Sequence, residues 1–201
     1  MGDVDGDGSA DRVFLVQRRS APDECNTFLV AETARGTIVA RLRPLFVWNA
    51  DIPVPRLLAL AEIDRKSGAE VVIDVWDGAS SMNVAVFTVR NESLRRMSIR
   101  APRSDDVFEN FSSAGAGKGN VDCVGGQRSG VVVDTTTGML QKRTATVVRR
   151  FYVVVGSDFV PEPTKTTRER VPVRQLDGRY PELNAVDDPG VFPSCGTVRV
   201  R

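Results

Sequence analysis

Asp3-Val4-Asp5-Gly6-Asp7-Gly8-Ser9-Ala10-Asp11 opens the chain and runs directly into an apolar stretch, Arg12-Val13-Phe14-Leu15-Val16. Aspartates at alternate positions around a glycine corner repel one another unless a positive charge lies between them. A divalent cation is the usual compensator. The spacing matches the twelve-residue calcium loop, whose ligands fall at positions 1, 3, 5, 7 and 9 with glycine at 6. With Asp3 at position 1, the other ligands are Asp5, Asp7, the Ser9 carbonyl and Asp11, and Gly8 makes the corner. The closing glutamate of an EF-hand would fall on Phe14, and a strand-like run follows where a helix should be. The loop therefore joins two strands. A solvated acidic turn, partly neutralised by a free amino terminus, is the plain alternative.

The pattern recurs. Val4 to Phe14 aligns without a gap on Ile63-Asp64-Arg65-Lys66-Ser67-Gly68-Ala69-Glu70-Val71-Val72-Ile73, with Asp5 on Asp64, Ala10 on Ala69 and Asp11 on Glu70. A looser third copy begins at Asn120-Val121-Asp122-Cys123 and reaches its strand, Val131-Val132-Val133, one residue late. The period of about 59 residues lies slightly above that of common propeller blades. The ligand set does not recur with the spacing. Glu62 replaces Asp3 and Lys66 replaces Asp7 in the second loop, and the third keeps only Asp122. The second and third copies read as hairpins that hold their shape without a cation.

Around each loop the chain reads as short strands. Leu57 to Ala61, Glu70 to Trp76, Asn83 to Val89 and residues 94–99 form one set. Gly130 to Thr136, Thr144 to Val155 and Thr164 to Val173 form another, and Arg12 to Gln17, Thr27 to Ala31 and Thr37 to Leu42 a third. Alternation at Val84 and Val86 and through 94–99 marks half-buried antiparallel strands. No stretch of ten residues carries a helical period. Ser112 to Asn120 reads as a glycine-rich connector whose Gly117-Lys118 lacks the remaining features of a phosphate loop. Gln175 to Ser194 reads as a surface loop. The first repeat has almost no chain before its loop, and Gly196 to Arg201 is a strand that could supply the missing partner.

A DxDxDGxxD loop between two strands resembles the FG-GAP/VCBS class of extracellular repeats, found in integrin α-subunit propellers and in secreted bacterial proteins. The matching residues are Asp3, Asp5, Asp7, Gly8 and Asp11. The resemblance implies an all-β fold of tandem antiparallel four-stranded, blade-like units, with Ca2+ bound by Asp3, Asp5, Asp7, Ser9 and Asp11. The whole chain is then one domain of three degenerate repeats, 1–59, 60–117 and 118–175, with a tail over 176–201. Three blades are fewer than closed propellers use. An open array, or a sandwich-like packing of the repeats, competes with ring closure.

With 201 residues, a 41% hydrophobic share and a formal charge of +1, the chain is neither disordered nor a nucleic-acid binder by composition. No run approaches the ~18 apolar residues of a membrane span. The acidic loop occupies the place of a signal peptide, which fits a secreted or cell-surface protein trimmed to its mature part. Three cysteines are an odd number, so an oxidising compartment would leave one unpaired. Cys123 with Cys195 is the preferred pair because the tail has little else to hold it. Cys25 with Cys195 remains an alternative that spacing does not decide.

Histidine is absent, which removes the commonest general base and any Ser-His-Asp arrangement. Asp105-Asp106 with Glu109, and Asp187-Asp188, are acids in turns before they are catalytic pairs. The reading is a non-catalytic, calcium-binding extracellular module with a structural role or a role in binding a protein or carbohydrate. Trp48 and Tyr180 are the candidate contact aromatics, while Trp76 and Phe151 fit the core. A polysaccharide-acting hydrolase and a metal-independent recognition module are the alternatives. Asn91-Glu92-Ser93 and Asn110-Phe111-Ser112 match glycosylation sequons.

Overall fold

Val71-Val72-Ile73 and Val84-Ala85-Val86-Phe87 are unbroken apolar runs, which a strand needs only when both of its faces are covered. In the computed structural model they lie in β5 (Glu70–Gly78) and β6 (Ser81–Arg90), paired antiparallel. The structure describes residues 1–17, 27–42, 55–64, 66–78, 81–101, 106–113, 117–124, 131–137, 143–183, 191–196 and 198–199. Trp48, Cys25, Asp105, Asp187 and Asp188 lie outside them.

One face of β5 and β6 looks onto a small sheet. That sheet is β1 (Arg12–Gln17), β2 (Thr27–Thr33) and β3 (Gly36–Arg41), in the order β1-β2-β3. Val71, Ile73, Ala85, Phe87 and Val89 form one apolar cluster with Val4, Leu29, Ala31 and Leu42. The alternate residues, Val72, Val84 and Val86, face the other way into a second cluster. Period-2 side-chain direction thus divides each strand between two cores.

Among the described residues the larger sheet has 12 strands. Besides β5 and β6 it holds β4 (Arg56–Ala61), β7 (Ser93–Arg96), β8 (Ser98–Ile99), β9 (Phe108–Ser113), β10 (Gly117–Cys123), β11 (Val131–Thr137), β12 (Thr144–Val155), β13 (Asp158–Pro161), β14 (Thr167–Pro172) and β15 (Val198–Arg199). Its order is β15-β4-β5-β6-β9-β10-β11-β12-β13-β8, with β7 beside β6 and β14 beside β12. β6 pairs with β9 and β9 pairs with β10, so strands of the second and third repeats share one sheet. β7 pairs with β6 and β8 pairs parallel with β13, so a single short segment touches both halves of that sheet. The fold is all-β and almost entirely antiparallel.

The second cluster closes around Phe108, whose ring meets Tyr152, Phe159 and Phe192 edge-on at 5.6, 5.0 and 5.9 Å between centroids. Edge-to-face contact brings the positive ring rim to a negative face, a favoured aromatic geometry. Phe192 reaches this core because Cys195 is disulfide-bonded to Cys123 on β10. The preferred cysteine pair is therefore the one formed.

Three expectations are corrected. The glycine-rich connector is a hairpin, in which β9 reaches Ser113 and β10 begins at Gly117. The loop expected from Gln175 contains part of a helix, α1 (Val173–Arg179), anchored by buried Leu176. The first loop needs no strand from the carboxyl end, because Gly2 and Asp11 exchange both backbone hydrogen bonds, at 3.2 and 3.0 Å. The final strand lies instead against β4, with Val198 opposite Leu60 and Arg199 opposite Ala59.

Candidate metal centre

The first loop folds on its own carboxylates. Asp3 accepts the Gly6 amide at 2.7 Å on one oxygen and the Gly8 amide at 2.9 Å on the other. Asp11 Oδ2 accepts the Val4 amide at 2.7 Å and the Asp5 amide at 3.3 Å. Asp5 Oδ1 takes the Asp7 amide at 3.1 Å, and Asp7 Oδ1 takes that of Ser9 at 2.7 Å. Each bond turns a backbone N–H inward, so the loop draws its acids together as it forms.

Asp3, Asp5 and Asp11 each place a carboxylate oxygen within 4.8 Å of the others. Asp11 is only 1% exposed. Asp5 Oδ2 and Asp11 Oδ1 are buried and have no hydrogen-bond partner among the described residues. Leaving a buried carboxylate oxygen without a donor costs about 1–3 kcal/mol or more. Asp7, the fourth aspartate of the motif, is exposed and stands outside this trio.

The second loop repeats the wiring of Asp11 and Asp5. Glu70 Oε2 accepts the Ile63 and Asp64 amides at 2.9 and 3.3 Å, as Asp11 does those of Val4 and Asp5. Asp64 Oδ1 accepts the Lys66 amide at 2.7 Å, as Asp5 does that of Asp7. The two remaining oxygens are where the loops part. Arg90 Nη2 bonds Asp64 Oδ2 and lies 3.6 Å from Glu70 Oε1, which also receives the Thr88 hydroxyl at 3.4 Å. Lys66, which stands at the position of Asp7, is exposed and its ammonium lies 3.5 Å from the Gly156 carbonyl. Burial, then the neighbouring Asp64 charge, pushes the Glu70 carboxyl up from 4.5 to about 7, against the pull of two amides and Arg90.

Strand register explains why no arginine among the described residues stands over the first loop as Arg90 does over the second. Asp11 precedes Arg12, which pairs with Glu32, and Glu70 precedes Val71, which pairs with Phe87. Counting outward, the position equivalent to Arg90 is Arg35. It lies in the tight turn between β2 and β3, whereas Arg90 is still in strand. Arg35 is exposed on the wall of an open groove of about 570 Å³ that also includes Asp5, Thr33, Thr37, Asn91 and Glu92.

The third copy spends its acid on the tail. Asp122 Oδ1 accepts the Ser194 amide at 2.8 Å, and Oδ2 accepts the Ser194 hydroxyl at 2.7 Å. The first two loops are joined directly, since the Ala69 amide donates to the Asp3 carbonyl at 2.7 Å.

Tyr180 is not a contact aromatic. The residue is 7% exposed, packed with Leu176, Leu183 and Val171 under the Arg149 guanidinium, and its hydroxyl bonds Glu169 at 2.5 Å. Burial first, then that bond, raises its pKa. Asp106 holds the Ile99 amide at 2.7 Å and its carbonyl receives Arg96, while Glu109 is exposed. Both are turn and surface residues. Arg90, Thr88 and Ser194 were not legible as site residues. The available signal was the strand register opposite Glu70.

No protein-family model, no curated protein and no solved structure matches the chain.

Proposed function

We propose that the chain is a calcium-stabilised, non-catalytic module of extracellular type, built from hairpins of FG-GAP/VCBS form distributed over two sheets. The observation that carries this reading is the pair of buried oxygens on Asp5 and Asp11, matched in the second loop by oxygens that hold Arg90. The donors are all carboxylate oxygen, the hard set that Ca2+ and Mg2+ take, and a flexible loop favours the larger ion. Asp3, Asp5 and Asp11 would hold it, with Asp7 and the Ser9 carbonyl completing the motif. The ion would supply charge compensation and fasten the amino-terminal hairpin.

Secretion fits the Cys123–Cys195 bridge, which persists in oxidising surroundings. Extracellular modules bind calcium at roughly 10⁻⁴ to 10⁻³ M, a range matched to fluids outside cells. The groove beside Asp5 is the place for a protein or carbohydrate partner. Melting the protein in calcium and in chelator tests the reading. Calcium should raise the melting temperature, and Asp5→Ala should abolish the difference. Superimposable curves for the unaltered protein would remove the metal.

A further inference from the structure

We propose that Arg90 is itself the cation of the second loop, and that Asp64 and Glu70 form a latent divalent-ion site which its guanidinium fills. The side chain of Asp64 is 3% exposed and that of Glu70 1%, and the same Arg90 nitrogen faces both. Two carboxylates at this depth repel each other strongly unless a positive group lies between them. Their other oxygens are taken by backbone amides, as are the corresponding oxygens of Asp11 and Asp5. The guanidinium therefore occupies the two positions that remain open for coordination in the first loop. Glu62, at the position of Asp3, is exposed and its carboxyl lies beside Gly196, so the pair Asp64 and Glu70 carries the site.

The strand geometry makes the substitution possible. β6 runs on to Arg90 before turning at Asn91-Glu92, long enough to carry the side chain over the loop. The hairpin of β2 and β3 turns two residues sooner, and its arginine is carried outside. A diffusible ion and a tethered one are thus alternative solutions to one loop chemistry. Hairpin length selects between them.

The inference takes the kind of ion from the reading of the first loop, but its geometry stands on the second loop alone. The test is therefore made with the first loop disabled by Asp5→Asn and Asp11→Asn. That background should melt at one temperature in calcium and in chelator. Adding Arg90→Ala should make melting calcium-dependent, with a lower temperature in chelator that millimolar calcium restores. Adding Asp64→Asn should remove the dependence again. An Arg90→Ala protein that folds and ignores calcium overturns the proposal. Should Arg90→Ala fail to fold in chelator, refolding in calcium is expected to recover it. A triple change, Arg90→Met with Asp64→Asn and Glu70→Gln, separates charge from packing. It should melt above Arg90→Ala alone in chelator, and a triple variant no more stable than the single one overturns the counter-ion role. Calcium dependence of the unaltered protein reports on the first loop separately, so either reading can fail without the other.

Discussion

Gly68 lies against Val4. A Cβ built on Gly68 would sit 2.9 Å from the Val4 carbonyl oxygen and 3.1 Å from the Gly6 amide nitrogen. The two acidic loops therefore meet through bare backbone. Gly68 also holds φ at +101°, a conformation L side chains avoid. Gly68→Ala should lower unfolding free energy by roughly 2–4 kcal/mol, combining left-handed strain with a backbone collision. Gly8→Ala, at φ +87° in open space, should cost only about 1 kcal/mol. Urea denaturation of both variants checks the difference.

The exposed position of Asp7 predicts a hierarchy within the motif. Asp11→Ala should abolish the calcium-dependent shift in melting temperature and also cost about 1–3 kcal/mol in chelator, since two amides lose their acceptor. Asp7→Ala should leave most of the calcium shift in place. Equal loss in both variants would mean that Asp7 swings into the trio on binding.

Glu70 gives the stability a pH dependence of defined sign. Its carboxyl titrates near 7 in the folded protein against 4.5 unfolded, so the folded state holds the proton longer. Where the folded state binds more protons, stability falls as pH rises. The contribution is complete below about pH 4.5 and is lost between there and about 7. Its span is on the order of 3 kcal/mol. Glu70→Gln should flatten this slope when unfolding free energy is measured between those limits.

The Cys123–Cys195 bridge closes a separation of 72 residues. Replacing both with serine should lower unfolding free energy by roughly 2–4 kcal/mol, chiefly by freeing the unfolded chain. It should also loosen the tail, because Phe192 lies under Phe108 and Ser194 is held by Asp122. Faster amide exchange at Phe192 and Cys195, ahead of exchange in β5, is the expected signature.

How much of this was legible in the sequence depended on how local its cause was. The acidic loop and its glycine corner were readable because their residues lie within nine positions of one another, whereas the carboxylate-to-amide bonds that wire the loop were not read. β12 was read to its exact limits, Thr144 to Val155, from a long β-branched run. β9 and β10 were hidden because Ser112, Ser113, Gly117 and Gly119 have low strand propensity, and cross-strand pairing alone holds them. α1 was missed because seven residues are too few to show a period, and its single buried anchor, Leu176, finds its partners on β12 and β14. Tyr180 looked exposed beside Gly178 and Pro181, but the same distant strands cover it. Arg90 lies 26 residues from Asp64, and nothing in the spacing joins them. Only the pairing of β5 with β6 brings the guanidinium over the loop.

Arg90 has one property that no dissolved ion shares, which is that it arrives with the strand it braces. Its local concentration is fixed by covalent connection, so neither dilution nor a competing chelator can strip it from Asp64. This end of the β5–β6 pair is accordingly neutralised from within as β5 meets β6.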